Sequence, residues 1–567
     1  MITCGLKLTH DGAVALLEDG RLVFSVEVEK VANGIRYSEI EDTKTIVEIL
    51  AAFGYKPGDV DEWVVDGWDG HEHGSVRIVN DGREQEFVVA PYRENDTITN
   101  LLEPGARGTL ALGATEVPFV SYVHVAGHLA SAYWTSPFVG EPAFVLIWDG
   151  GLFPRLYHVG SDGRVSLGGA MFPLIGHAYA SAAHHFGPFR RDNEATTVDD
   201  LSVAGKLMAY IALGTPDPAV RVVLAELFGR HFEGSGEQAQ AYRSTINGVG
   251  SNAEPSLRFV HAFYRDLRGA VEATDEDVLA TVHEFLGDLL VERVSQAVRG
   301  WDTAQAGEGP WNLCFVGGCA LNIKWNSQLR AQSIFRDVWV PPFPNDSGSA
   351  FGAACAHRAA RGETSAVAWH VRSGPAVVPS DIPPGWTRSG PVTPAELGRL
   401  LHETGEPVVV LYGRAELGPR ALGGRSIIAP ATNPGTKQLL NDIKKREHYR
   451  PVAPICMVDR APQIFDPGVP DPYMLFDHVV REEWVERIPA ILHLDGTARL
   501  QTVDGNDDPV LAELLRAYEQ ASGVPVLCNT SANYNGRGFF PDVRSAAEWG
   551  AVSRLWSDGV LYEKEVS

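Results

Sequence analysis

Cysteine, long apolar runs and positive charge are all in short supply in this chain of 567 residues. The six cysteines (Cys4, Cys314, Cys319, Cys355, Cys456 and Cys528) stand far apart with no CxxC pair. Neither a zinc ribbon nor a disulfide framework organises such a chain. No apolar run approaches the roughly 20 residues of a membrane span, so no membrane partner is expected. Lysine and arginine number 48 against 72 aspartates and glutamates, a net charge of -24. A surface of that sign repels nucleic acid, which is excluded as a partner. Residues 1–5 run straight into a strand-like pattern, without the look of a signal peptide. A reduced, cytoplasmic enzyme of two or more domains is the expectation.

Histidine is where the chain becomes specific. His124 and His128 are four apart in a small-residue stretch, one helical turn from each other and on one face. A helix offers two imidazoles to one metal ion by that spacing, and it also places two ordinary hydrogen-bonded histidines side by side. Residues 143–151 form an apolar run closing in Asp149-Gly150-Gly151, the pattern of a buried strand that delivers an acid at its C-terminal end. Asp346 repeats the arrangement, after the short strand at 338–340 and before a small-residue helix. Singly, such an acid reads equally as a helix cap. Two histidines and two such acids make a donor set suited to iron or zinc.

The remaining signals are spread along the chain. Residues 2–28 alternate strand-like runs with His10-Asp11-Gly12 and Asp19-Gly20 turns, predicting three antiparallel strands. Such an opening resembles actin-like and sugar-kinase-like domains, or a plain meander. Apolar spacing predicts helices over 43–53 and behind the cap signal at 274–277. Ser202 to Met208 places Gly205 and Lys206 at a helix start, where a phosphate or only solvent could meet them. Gly317-Gly318, between a strand and a helix, lets backbone amides approach a ligand closely or simply turns the chain. Residues 373–392 are rich in proline and glycine, a linker composition that divides the chain into 1–372 and 393–567. Beyond it, Arg414, Arg420 and Arg425 are laced with glycines in 413–426, and Lys444, Lys445, Arg446 and Arg450 follow. Guanidinium forks suit phosphate, so this run predicts an anion pocket inside an acidic protein.

Taken together, the 413–426 run, Arg450-Pro451-Val452-Ala453-Pro454 and Asn529-Thr530-Ser531, with the weaker HxxxH and Gly317-Gly318 in matching order, resemble the antibiotic and nodulation-factor O-carbamoyltransferases. The resemblance implies an α/β protein. Its N-terminal domain would be actin-like, similar to the threonylcarbamoyl-adenosine transferases, and its C-terminal domain YrdC-like. It implies that carbamoyl phosphate and ATP, with Mg2+, give carbamoyl adenylate in the second domain. The first domain then passes the carbamoyl group to a hydroxyl of a small-molecule acceptor. By motif, His124, His128, Asp149 and Asp346 would hold Fe(II) or another divalent metal. Lys206, Gly317, Gly318 and Asn322 would hold the nucleotide. Arg414, Arg420, Lys444, Arg450, Arg499, Asn529 and Ser531 would bind carbamoyl phosphate and ATP. His10, paired with Asp11, would take the acceptor's proton. After the third strand this chain is less charged than the family's usual pattern. The alternatives are a hydrogenase-maturation carbamoyltransferase, which calls for CxxC pairs, and an actin-like ATPase acting as a binding module. The oligomeric state is open, a homodimer included.

Overall fold

The computed structural model describes residues 1–191, 201–248 and 253–565. The chain forms two compact units, one of Met1–Ser25 with Glu39–Trp369, the other of Val26–Ser38 with His370–Ser567.

Two sheets of the first unit share a common order, and Gly74–Asn80 with Arg83–Val89 makes a separate two-stranded one. In the first, Ile2–Lys7 is flanked by the antiparallel strand Ala13–Glu18, with Arg21–Glu27 beyond it, and on its other side by the parallel strand Glu62–Asp66. Thr115–Tyr122 continues the parallel part. In the second, Ala143–Ile147 holds the position of Ile2–Lys7, with Arg155–Val159 and Val165–Ala170 antiparallel on one side and Trp311–Val316 and Phe335–Trp339 parallel on the other. These central strands are buried almost throughout, which is why they read as continuous apolar runs and not as alternation. The turn after the first strand carries His10 and Asp11 in one sheet, Asp149 and Gly150 in the other.

Two helices are packed tightly against each other, His124–Tyr133 on the second sheet and Ser349–Ala360 on the first. Small residues make that approach possible. A Cβ on Gly352 would lie 2.0 Å from the Gly127 carbonyl oxygen, so glycine is required at the crossing. The contact brings the start of the histidine helix beside the Asp346–Gly348 turn that leads into the other helix.

The second unit is built on an eight-stranded mixed sheet, with Val408–Leu411 and Arg425–Pro430 antiparallel at its centre. Leu527–Ser531 pairs with Arg425–Pro430, and Ala453–Met457 with Leu527–Ser531. Helices Pro394–Thr404 and Pro509–Ser522 pack together over its core. The Thr393/Glu396 capping box expected at the first of these is present.

Residues 373–392 are not the linker that their composition suggests. Val377 N–H donates to the Gly413 carbonyl, and Val378 N–H to that of Pro541. Trp386–Pro391 is an edge strand against Val560–Lys564, with Trp386 buried in the core. Prolines lack an N–H and so gather at edges; their presence signals an irregular path, not an unpacked one. The segment Val26–Ser38 is the opposite case. It lies in the N-terminal stretch of sequence yet belongs to the second unit.

Candidate metal centre and anion cluster

In the first unit, strand ends and helix starts bring His124, His128, Asp149 and Asp346 together. One ligand atom from each lies within 4.8 Å of all the others, and all four residues are buried. The helix positions both imidazoles, whose ring centroids are 4.5 Å apart. Each Nε2 stands 3.3 Å from Asp346 Oδ1, and neither is hydrogen-bonded. Buried nitrogens without a hydrogen bond, aimed at buried carboxylates, fit a cation of the kind that takes N and O donors.

A second layer orients these donors. Asp66, at the end of the Glu62–Asp66 strand, holds His124 Nδ1 at 2.7 Å, which turns Nε2 toward the centre. Asp149 accepts Gly318 N–H at 2.7 Å on one oxygen and the Tyr92 hydroxyl on the other. Burial and the Asp149 carboxylate raise Tyr92 well above its ordinary pKa, so the phenol donates. The Pro91 and Tyr92 carbonyls accept the His124 and Val125 N–H groups, capping the histidine helix. Lys7, fully buried, reaches Asp66 at 3.2 Å and Asp346 at 2.9 Å. Burial opposes ionisation of Asp346, but Lys7 and His124 outweigh it and hold the carboxyl well below the usual range. Burial likewise works against protonation of His124, and the Asp66 and Asp346 carboxylates overturn it, raising its pKa to about 9. A proton and a metal ion thus compete at this imidazole.

The other expected residues of this unit are distributed as follows. His10 is half-exposed at the rim, with Nδ1 3.0 Å from Asp11 and Nε2 3.5 Å from Asp346. Gly317 adopts φ 94°, and a Cβ there would lie 2.5 Å from the Trp148 carbonyl oxygen. With Gly318 it lies against Asp149. Asn322 caps the helix Ile323–Arg330 through its side-chain oxygen, and its Nδ2 is buried without a hydrogen bond. Lys206 is on the helix Val203–Tyr210, its ammonium 5.7 Å from the Phe189 ring. Three histidines beyond those expected lie in the same unit: His177 packs beside Gly150, and burial lowers its pKa to about 4. His184 and His185 instead associate with His261.

The second unit gathers positive charge. Arg420, Arg446 and Arg450 lie within electrostatic reach of one another and of both Arg36 and Arg499, with Lys444 beside Arg36 and Arg446. Burial, then repulsion from Arg36 and Arg450, pushes Arg420 down to about 10. Burial, then Arg450, Arg36 and Arg420, pushes Arg446 down to about 9. Arg420 Nε and Arg499 Nε are buried without hydrogen-bond partners. Asn529 donates to the Ala421 carbonyl at 3.1 Å and to Gln501 Oε1 at 2.7 Å. Lys444 donates to the Ser531 carbonyl at 2.8 Å and to Asn533. Arg414, also expected at the anion site, is held by backbone. Its guanidinium donates to the Ser373 and Gly374 carbonyls at 2.6 and 2.9 Å, as Arg425 donates to four other carbonyls. Both tie the loop at 413–424 to its frame.

That loop is also held by the Val26–Ser38 segment. Lys30 donates to the Glu416 and Gly418 carbonyls at 2.5 and 2.7 Å and pairs with Glu27, which accepts Gly418 N–H at 2.9 Å. Arg36 follows within the same segment. Sequence reasoning misses Lys7, Asp66, Tyr92 and Arg36. Asp66 had a signal, since Val64-Val65-Asp66-Gly67 repeats the strand-then-Asp-Gly pattern of Asp149. Lys7 and Arg36 had none.

A buried donor tetrad in one unit and a buried basic cluster in the other are the features to set beside known proteins. The chain belongs to the carbamoyltransferase family: the family description Carbamoyltransferase N-terminus matches residues 2–355, and Carbamoyltransferase C-terminus matches 399–558. It is 50% identical to Nodulation protein U of Rhizobium tropici over 568 residues, covering 100% of this chain and 96% of that one. Nodulation protein U of Sinorhizobium fredii (strain NBRC 101917 / NGR234) is 49% identical, over 100% and 99% of the two chains. The 3'-hydroxymethylcephem-O-carbamoyltransferase of Streptomyces clavuligerus is 32% identical over 576 residues, 100% of this chain and 99% of that one. Among the described residues, no helix is long and apolar enough to cross a membrane.

Proposed function

We propose that the protein is a cytoplasmic, ATP-dependent O-carbamoyltransferase acting on a hydroxyl of a small molecule. The observation that carries this reading is the buried cluster of arginines, two with Nε atoms lacking protein partners, in a chain of net charge -24. Cations held together against their own repulsion call for an anionic ligand. The common strand order of the two sheets supports an actin-like first unit, and the basic cluster supports a YrdC-like second.

In the second unit, Arg420, Arg450 and Arg499 would grip the phosphate of carbamoyl phosphate, with Lys444, Asn529 and Ser531 at its edge. Hydrolysis of carbamoyl phosphate frees phosphate and carbamate. A carbamate oxygen then attacks the α-phosphorus of Mg2+-bound ATP, giving carbamoyl adenylate and pyrophosphate. In the first unit, Gly317, Gly318, Asn322 and Lys206 would hold the nucleotide, and His10, oriented by Asp11, would take the proton of the acceptor hydroxyl as its oxygen attacks the carbamoyl carbon. The C–O bond to AMP breaks, and the carbamate ester and AMP leave. His124, His128, Asp149 and Asp346 would hold a divalent metal such as Fe(II), whose positive charge would steady the phosphate of the leaving AMP.

The test is release of AMP and pyrophosphate from ATP with and without carbamoyl phosphate, alongside a mass-spectrometric screen of candidate alcohols for carbamates. Release that is independent of carbamoyl phosphate would sink the reading and favour an ATPase binding module. The hydrogenase-maturation alternative is disfavoured by the lack of any CxxC pair.

A further inference from the structure

Lys7 is buried beside the acids of the donor tetrad, at 1% side-chain exposure, and it touches both an inner and an outer carboxylate. It comes from the middle of the first sheet, at the end of Ile2–Lys7, where every other strand residue is small, apolar or hydroxylated. Its ammonium also lies 4.2 Å from the centre of the Trp68 ring, which closes its open side. A flexible, strongly hydrated side chain is costly to strip of water, so its position has to be set by the charges around it.

Those charges can be counted. Asp149 and Asp346 bring two negative charges to the donor set, and Asp66 brings a third through its bond to His124 Nδ1. The imidazoles, bonding through Nε2, are neutral ligands. Tyr92 remains a neutral phenol. At the rim the half-exposed His10 pairs through Nδ1 with the buried Asp11, an outer pair counted apart from the donor set. Lys7 brings one positive charge. Three carboxylates and one ammonium leave two negative charges, which a divalent cation neutralises and a trivalent one overshoots. In a site with so little water the imbalance is not screened.

We propose that Lys7 makes this centre selective for divalent over trivalent cations, acting as a counter-charge to Asp66 and Asp346 and not as a ligand. The inference rests on the cation-binding reading of the tetrad. Deleting charges of opposite sign around the same four donors then shifts selectivity in opposite directions. Lys7→Met removes the ammonium while keeping bulk, and favours the trivalent ion. Asp66→Asn removes an outer acid while its amide oxygen still accepts from His124 Nδ1, and favours the divalent ion. Removing both restores the native balance.

The experiment uses Mn2+ and redox-inert Ga3+, with the full-length protein, equilibrium dialysis and elemental analysis, so it needs no turnover. The ratio of Ga3+ to Mn2+ affinity should rise about tenfold or more in Lys7→Met and fall about tenfold or more in Asp66→Asn. In Lys7→Met/Asp66→Asn it should return to within about threefold of native. If Lys7→Met does not fold, Asp66→Asn and the double variant carry the comparison between them. Parallel weakening of both ions, with the ratio unchanged, would overturn the inference and make Lys7 a structural residue only. Native protein that binds neither ion in a manner dependent on His124 and His128 would instead overturn the cation-binding reading itself.

Discussion

The buried basic cluster of the second unit should destabilise the protein when no anion is supplied, and Arg420→Met tests that directly. Arg420 is driven down from the ordinary arginine range to about 10 by burial, with Arg36 and Arg450 adding repulsion, and its Nε has no protein acceptor. At about 1.4 kcal/mol for each tenfold loss of proton affinity, keeping it charged costs the ligand-free fold at most about 3 kcal/mol. Partial solvent access reduces that to about 1–2 kcal/mol. A cation whose pKa falls on folding carries this cost at every pH below its folded value, and the cost is relieved as pH climbs from about 10 toward the ordinary arginine range. At pH 8 it is therefore present in full. Methionine keeps most of the volume and removes the charge. Ligand-free Arg420→Met should melt about 2–8 °C above the native protein in differential scanning calorimetry. Carbamoyl phosphate at about 100 times its Kd should stabilise the native protein by about 2.7 kcal/mol and the variant far less. A variant that melts lower than native and keeps its full response to carbamoyl phosphate would refute the reasoning, because the guanidinium would then be a structural group.

Three further outcomes follow from the same geometry. Tyr92→Phe deletes the hydroxyl held by Asp149 and should weaken divalent-metal binding by about 10–100-fold in isothermal titration, with the circular dichroism spectrum unchanged. Arg450→Ala should abolish pyrophosphate release, whereas His124→Ala should retain it and lose carbamate formation; equal loss of both in His124→Ala would contradict the two-site division. Gly352→Ala forces a Cβ to within 2.0 Å of the Gly127 carbonyl oxygen, and should lower the unfolding free energy by about 3 kcal/mol or more in urea titration.

The convergence of His124, His128, Asp149 and Asp346 is legible because each donor sits in a local pattern: helical spacing for the pair, a buried run ending in an acid for the others. The opening strands and the helix over 43–53 are legible for the same reason, since period and turn residues are short-range signals. What lies beyond short range is not legible. Lys7 looks like a strand's stray polar residue until Asp66 and Asp346, far away in sequence, arrive beside it. Arg36 stands in a segment with no motif, and only tertiary contact with the 413–424 loop's surroundings explains it. The proline-rich 373–392 stretch shows that composition reports backbone regularity and not attachment.

The segment Val26–Ser38 has a consequence for how the protein is made. Lys30 and the Glu416 carbonyl that it clasps are separated by 386 positions in the chain. At about 5–20 residues per second on the ribosome, Lys30 waits roughly 20–80 seconds for its partner to be synthesised. The C-terminal half, expressed from a separate gene fragment, would emerge without Glu27, Lys30 and Arg36. Splitting the coding sequence at the apparent boundary near residue 370 would therefore yield a second half missing one wall, and reconstitution would need the missing thirteen-residue piece (Val26–Ser38) supplied alongside it.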